Sequence, residues 1–287
     1  MSLNTFIPSV WSASILRGLQ KSHVYASDLV CNRDYEGEIT GAGDSVRINS
    51  ISDPTVGSYT KNTDISAAED LDSVQQVLLI DQQKYVNFQV DDIDKAQTKP
   101  KVMDEAMSRA GYKLADTIDQ FMAGLYTEAG LTSGLGTDAS ALVPSANTAG
   151  TTVYEYLVDM GVLLDTQDCP GDERFAILPP WMCGLLQKDN RFVGYGTAES
   201  RATIARGLIG NVAGFNILKS NNVPNTSDAK YKVLAGHKIA WSFAEQLVSM
   251  EAYRPQLRFG DAIKALHVYG GKVVRPNCLA LGTFSKP

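Results

Sequence analysis

Histidine is scarce in this chain: His23, His237 and His267 are its three copies, and none sits in an HxxxH pair. No GxSxG elbow occurs, and no cysteine is set beside a histidine motif, so the usual signatures of nucleophilic or metal-dependent hydrolysis are missing. The four cysteines, Cys31, Cys169, Cys183 and Cys278, lie far apart and form no CxxC or Cys/His cluster. Such spacing suits free buried thiols in a reducing compartment rather than a disulfide framework or a zinc site. Basic surplus is lacking too. With 26 Lys and Arg against 32 Asp and Glu the net charge is −6, which argues against a nucleic-acid grip. No stretch approaches the ~18 apolar residues of a membrane span. The apolar opening "FIPSVWSASIL" has no basic flank and no small-residue cleavage site, so it does not read as a secretory leader. Internal repeats and low-complexity tails are absent from the sequence.

What remains is an ordinary folding composition. Its 44% hydrophobic and 20% charged residues over 287 positions can build one large domain or two modest ones around a proper core. Near the start, Trp11, Ile15, Leu16 and Leu19 fall at helical spacing and read as an amphipathic arm seeking a groove. "NRDYEGEITGAGDSVRINS", residues 32–50, reads as two short β-stretches around a glycine turn, with little apolar surface of its own. Polar residues dominate from Glu36 to Ser73, and Asp53-Pro54 and Gly57 supply turn chemistry. "VLLIDQQKYVNFQVDDID" then predicts a strand region in which Phe88 and Val90 share a face.

The clearest helix follows. Met103, Ala106, Ala110, Leu114, Ile118, Phe121, Met122 and Leu125 recur at three- and four-residue steps, Pro100 suits its start and Gly130 its stop. A helix over 101–129 is on the order of 40 Å long, too long for the inside of a compact globule. "LTSGLGTDASALVPSANTAG" reads as a loop between lobes. A second helix follows on Val153, Leu157, Met160 and Leu164, then a buried strand at "RFAILPP" and a brief helix at "WMCGLLQKD". The stretch 191–210 is glycine-rich and irregular. Strands are expected at "GFNILKS", "YKVLAG" and "KIAWSF", and a final hairpin around Gly270-Gly271. Mixed elements without a βαβ rhythm make the fold class α+β.

The acidic run Asp91, Asp92 and Asp94 is the strongest metal candidate, but capping of the following helix is the weightier reading. "GLTSGLGT" at 130–137 lacks the lysine of a phosphate-binding loop, "GYGT" at 194–197 lacks a third glycine, and both read as flexible loops. Trp181 and Trp241 read as core. Catalytic, cofactor and metal sites are therefore expected to be absent. The surplus is structural instead: an arm, a thin hairpin, a long helix and a glycine-rich loop. A lone hairpin is marginal in water, because ordering costs about 1–2 kcal/mol per residue and its few apolar side chains do not repay it. Repeated copies of one chain, each covering its neighbour's projections, would complete every arm at once.

In this order of parts, "IPSVWSASILRGLQKSHVYASDLVCNRDYEGEI", "GDSVRINSISDPTVGSYT" and "LLIDQQKYVNFQVDDIDKAQ" running into a long helix, the chain resembles the major capsid proteins of tailed bacteriophages, the Hong-Kong-97-type fold. The resemblance implies an N-terminal arm (1–35), an extended loop (36–75) and a peripheral domain (76–149) on a spine helix over about 101–129. It further implies an axial domain (150–262) and return strands (263–287). It implies a shell subunit without enzymatic activity, self-associating as pentamers and hexamers in an icosahedral head assembled in a bacterial host's cytoplasm. That head would enclose double-stranded DNA without sequence-specific contacts or any membrane. A portal protein would be a partner, as would a separate scaffolding protein, since no long charged helical segment precedes the fold. Trp11 and Ile15 on the arm and Tyr59 and Lys61 near the extended loop's far end become the candidate assembly residues. Some relatives join a Lys to an Asn between subunits; Lys61 and Asn277 are of those types, though ordinary surface roles are the weightier reading. A compartment shell of the encapsulin type shares the architecture, and a carboxylate-metal enzyme built on Asp91, Asp92 and Asp94 is the rival from another class. A tail-tube protein, mainly β, would not need so long a helix.

Overall fold

The computed structural model describes residues 24–34, 45–51, 54–62, 64, 67, 73–91, 102–145, 150–189, 210–227, 229–257 and 259–287. Within them the chain is α+β, as its patterning predicts. Strand β1 (Ser45–Ile51) pairs antiparallel with β2 (Ser73–Leu79), so that Ile48 faces Gln76 and Val46 faces Leu78. The described partner of 45–51 thus comes from beyond residue 72. The proposed first half, 35–39, lies outside the described residues. The strand region expected after it is two strands, broken at Ile80-Asp81, with β3 spanning Gln82–Asp91.

Helix α1 (Val102–Gly124) continues into a 3-10 turn, Leu125–Glu128, close to the expected 101–129. Its buried stripe is Met107, Leu114, Ala115, Ile118, Met122 and Ala123, the predicted face rotated slightly toward Met107 and Ala115. One polar residue shares that stripe: Asp119 is buried. Helix α2 (Val153–Thr166) starts on a capping box in which Thr152 Oγ1 accepts from Glu155 N–H and Glu155 Oε2 accepts from Thr152 N–H at 3.0 Å. Helix α3 (Pro180–Lys188) places a proline at its first position, where the missing N–H costs nothing.

The largest sheet is built around β4 (Arg174–Leu178), buried along its whole length. It pairs in parallel with β6 (Phe215–Lys219) and antiparallel with β8 (Lys230–His237), and β11 (Leu279–Ser285) closes the far side of β8. Short strands β5 (Asn211–Val212) and β7 (Asn225–Thr226) pair with β6 and β8. A second sheet has the order β3-β10-β9, with β9 at Trp241–Tyr253 and β10 at Gly260–Val273. Trp241 is fully buried between the two, its ring stacked on Phe175 at 5.9 Å and edge-on to Tyr25 at 6.3 Å.

Gly270-Gly271 is not the predicted hairpin turn. Strand β10 runs straight through both residues, and the chain turns only at Pro276–Cys278, after which β11 joins a different sheet. Close packing explains the glycines. A Cβ on Gly270 would stand 2.2 Å from the Leu79 carbonyl oxygen, and one on Gly271 would stand 2.4 Å from Met122 Sδ. The pair lets β10 press against β2 on one side and α1 on the other.

The glycine-rich stretch at 130–145 is likewise not a free linker. It is laced along β11: Leu131 N–H donates to Leu279 O (3.2 Å), Leu281 N–H to Leu131 O (2.8 Å), Leu142 N–H to Thr283 O (3.0 Å) and Ser285 N–H to Leu142 O (2.8 Å). Gly136, at φ +79, passes so close that a Cβ would lie 2.7 Å from Thr283 O. Its glycines serve left-handed turns and close approach, which the sequence pattern alone does not separate from flexibility.

Candidate assembly surface

At its base the hairpin β1–β2 rests on its own subunit. At the base, Ile48, Leu78 and Ile80 form a small buried cluster with Ala244 and Val268, and Leu266 and Val274 pack against it. Gln76 Nε2 donates to Val274 O (3.1 Å), and Lys272 Nζ donates to Val77 O (3.1 Å). The hairpin's root thus has a core that its sparse apolar content does not advertise, because β9 and β10 supply the other half. Beyond the strands the described residues are open to solvent. Residues 54–62 are exposed throughout, with Val56 at 95% and Tyr59 at 70% accessibility. Lys61 is exposed in the same stretch, so two of the four candidate assembly residues lie together; Trp11 and Ile15 lie outside the described residues.

A second exposed apolar tip joins β9 to β10. Leu257 is 97% and Phe259 84% accessible, while the flanking Arg254 and Asp261 pair at 3.0 Å across the hairpin mouth. Sequence reasoning missed this tip, though "RPQLRFGD" held a signal: two large apolar side chains in a turn bounded by proline and glycine. Tyr85, on the outward face of β3, is a third such residue. Of the glycine-rich stretch 191–210, all but Gly210 lies outside the described residues.

The body that carries these projections is held by buried polar anchors. Residues 24–34 enter the core: Val24 N–H and Ala26 N–H donate to Asp119 Oδ2 and Oδ1 at 2.7 and 3.2 Å. Trp241 Nε1 donates to Val30 O at 2.7 Å, and Phe243 N–H to Asn32 O at 3.0 Å. Arg33 is ion-paired with Glu245, whose other oxygen lies 3.3 Å from Nε2 of the buried His267. Burial, followed by the nearby Asp119 carboxylate, raises the Tyr25 phenol well above its ordinary range. At the 130–145 strap, the buried Lys232 donates to Asp138 Oδ1 (2.6 Å) and Thr283 Oγ1 (3.1 Å). That hydrogen bond from Lys232 is the chief reason the Asp138 carboxyl titrates below its ordinary value.

Asp91 ends β3, while Asp92 and Asp94 lie outside the described residues; among the described residues no group of three or more His, Cys, Asp or Glu could hold a metal ion. A polar crevice of about 220 Å³ opens between α1 and the β6–β7 connection, lined by Asp116, Asp119, Lys219 and Asn222 among others. Asn222 Nδ2 donates to Asp116 there at 2.8 Å, so the crevice reads as a bridged seam between elements. No described helix is long and apolar enough to cross a membrane.

Residues 75–281 match the family model described as phage capsid protein. Among solved structures, a chain from Mycobacterium phage Che8 is 29% identical and superposes with a TM-score of 0.69, over 91% of this chain and 90% of that one. The capsid structure of the cyanophage P-SCSP1u gives 20% identity and a TM-score of 0.68, over 91% and 87% of the two chains. A virus-like particle from Pyrococcus furiosus gives 13% identity and a TM-score of 0.55, over 94% and 96%, a likeness of fold alone. No curated protein matches the chain.

Proposed function

The chain belongs to the phage capsid protein family, and on that premise we propose that it closes, as pentamers and hexamers, into an icosahedral head enclosing double-stranded DNA. The role is structural rather than catalytic. The observation that supports it best is the contrast within one hairpin. Its root is packed on its own subunit, whereas Val56 and Tyr59 at its far end are 95% and 70% exposed. A neighbouring copy that buries such side chains gains about 1.5–3 kcal/mol for each one fully covered, repeated at every contact of a closed shell.

In this reading residues 36–75 form the extended loop, and Tyr59 and Lys61 meet the next subunit. Trp11 and Ile15 on the arm dock in the same fashion. The stretch 76–149 makes the peripheral domain, 150–262 the axial domain, and 263–287 the return strands. A separate scaffolding protein sets curvature, and a portal protein occupies one vertex. The −6 net charge suits an inner wall that must not grip packaged DNA, because each phosphate contact would add salt-dependent affinity. The encapsulin alternative has likeness of fold behind it and nothing more specific.

Deleting residues 54–62 tests the proposal. The isolated subunit is expected to keep its melting midpoint, while closed particles disappear from negative-stain micrographs and sedimentation profiles. Normal particles from the deletion variant would overturn the role given to this loop.

A further inference from the structure

Three connections carry the described chain between the β3-β10-β9 sheet, with α1 against it, and the large sheet, and they meet in one place. The 3-10 turn Lys238–Ala240 joins β8 to β9, the turn Pro276–Cys278 joins β10 to β11, and residues 129–131 lead from α1 into the strap along β11. Ala240 O accepts from Val274 N–H (2.8 Å) and Arg275 N–H (2.9 Å), and Pro276 O accepts from Gly130 N–H (3.0 Å). A Cβ on Gly130 would stand 2.7 Å from that same Pro276 oxygen. One histidine fastens the first of these turns. His237 ends β8 at 7% accessibility, and its Nδ1 accepts from Ile239 N–H at 3.1 Å. A backbone N–H only donates, so Nδ1 carries no proton and the imidazole is neutral. Once the ring is charged both its nitrogens donate, and the Ile239 N–H loses its acceptor.

From this arrangement we propose that His237 is an acid-sensitive latch: as a neutral imidazole it fastens the β8–β9 turn and, through Ala240, the β10–β11 turn, and in mild acid it lets both go. The charged groups around it come from three sides. On β4, Arg174 stands opposite His237 in the ladder, its guanidinium already paired with Asp165 at 2.6 Å. Asp172 and Glu173 lie exposed in the turn before β4. On the β11 side, Leu279, the partner of Gly236, follows the buried Cys278 thiol, and Lys238 is half-buried at the start of the latched turn itself. Burial holds the His237 imidazole below its ordinary value, against the pull of Glu173 and with Arg174 adding to the effect. Because the folded chain resists the proton, the stability that His237 contributes is complete above the ordinary histidine value of about 6.5. It is lost as pH falls from there towards the lower folded value.

The test is hydrogen exchange on the purified full-length chain at about pH 7.5 and about pH 5.5, either side of the ordinary histidine value. Proteins are compared at the same pH, so the intrinsic exchange rate cancels, as do His23 and His267, which all of them share. His237→Asn offers an oxygen near the place of Nδ1 and does not titrate, whereas His237→Ala offers no acceptor. At the higher pH the wild type and the asparagine variant are expected to protect the Ile239 amide alike, and the alanine variant to expose it about tenfold more. At the lower pH the wild type is expected to lose about tenfold in protection relative to asparagine, at Ile239, Val274 and Arg275 together, and to approach alanine. A wild type that tracks asparagine at both pH values overturns the latch, and so does an alanine variant as well protected as wild type at the higher one. Acid opening of the asparagine variant equal to the wild type's overturns it too, because other groups then release the turn. If asparagine fails to fold, the gap between wild type and alanine decides: it must close in acid, and a gap that stays constant refutes the proposal.

Discussion

Replacing Asp119 by alanine tests how residues 24–34 are fastened to the body. The carboxylate accepts two backbone N–H groups, from Val24 at 2.7 Å and Ala26 at 3.2 Å, and Ala26 is fully buried. Truncation leaves the Ala26 donor with no route to water, while Val24, half-buried, can recover part of its loss from solvent. Hydrogen bonds to a charged group contribute about 1.5–3 kcal/mol each, so the summed loss is expected at about 2–4 kcal/mol after that partial recovery. For a chain of this size the change corresponds to a melting shift of roughly 3–7 °C. Asp119→Asn keeps one carbonyl oxygen but turns an amide N–H₂ toward the other donor, and should fall between wild type and alanine. Differential scanning calorimetry of the unassembled subunit reads both variants. Should alanine melt within a degree or two of wild type, the fastening must come from the Trp241–Val30 and Asn32–Phe243 hydrogen bonds instead, and the anchoring role of Asp119 is refuted.

Gly270→Ala should destabilise the subunit by about 1–3 kcal/mol through overpacking, since its Cβ would meet the Leu79 carbonyl oxygen at 2.2 Å. Gly57→Ala, with nothing within 4 Å, should leave the melting midpoint where it is; equal effects would contradict the close approach of β10 to β2. Leu114→Asp places a charge on the buried stripe of α1, where Leu114 is 5% exposed, and should abolish soluble expression of folded subunit. Acid should loosen the 130–145 strap. The Asp138 carboxyl is depressed by Lys232, so its contribution is present above the ordinary carboxylate range and is lost as pH falls through the lowered folded value. The melting gap between wild type and Asp138→Asn is therefore expected to be widest near neutrality and to close below about pH 4; a gap independent of pH would exclude the ion pair as its source.

Local pattern and global placement contributed different things here. The long helix, α2, α3 and the apolar run of β4 were legible because each carries its own periodicity, cap or proline stop, and those are properties of neighbouring residues. The family was legible from the order of such parts. Glycine was where local reading failed. Gly270-Gly271 and the 130–137 stretch resemble turn and linker by composition, yet they serve close contacts with Leu79, Met122 and Thr283, residues far away in the chain. The same limit hid the core under the β1–β2 root, half of which belongs to β9 and β10, and the burial of Asp119, whose donors lie more than ninety residues upstream.

By itself, then, the sequence determined the α+β class, the identity of its periodic elements and the scarcity of catalytic groups, since short-range spacing and residue chemistry suffice for these. Only the tertiary structure decided which surfaces are covered and which remain bare. It separated the hairpin's anchored root from the exposed Val56 and Tyr59. The physical reason is that burial and close approach are relations between segments distant in the chain, and no window of neighbouring residues contains both sides of them.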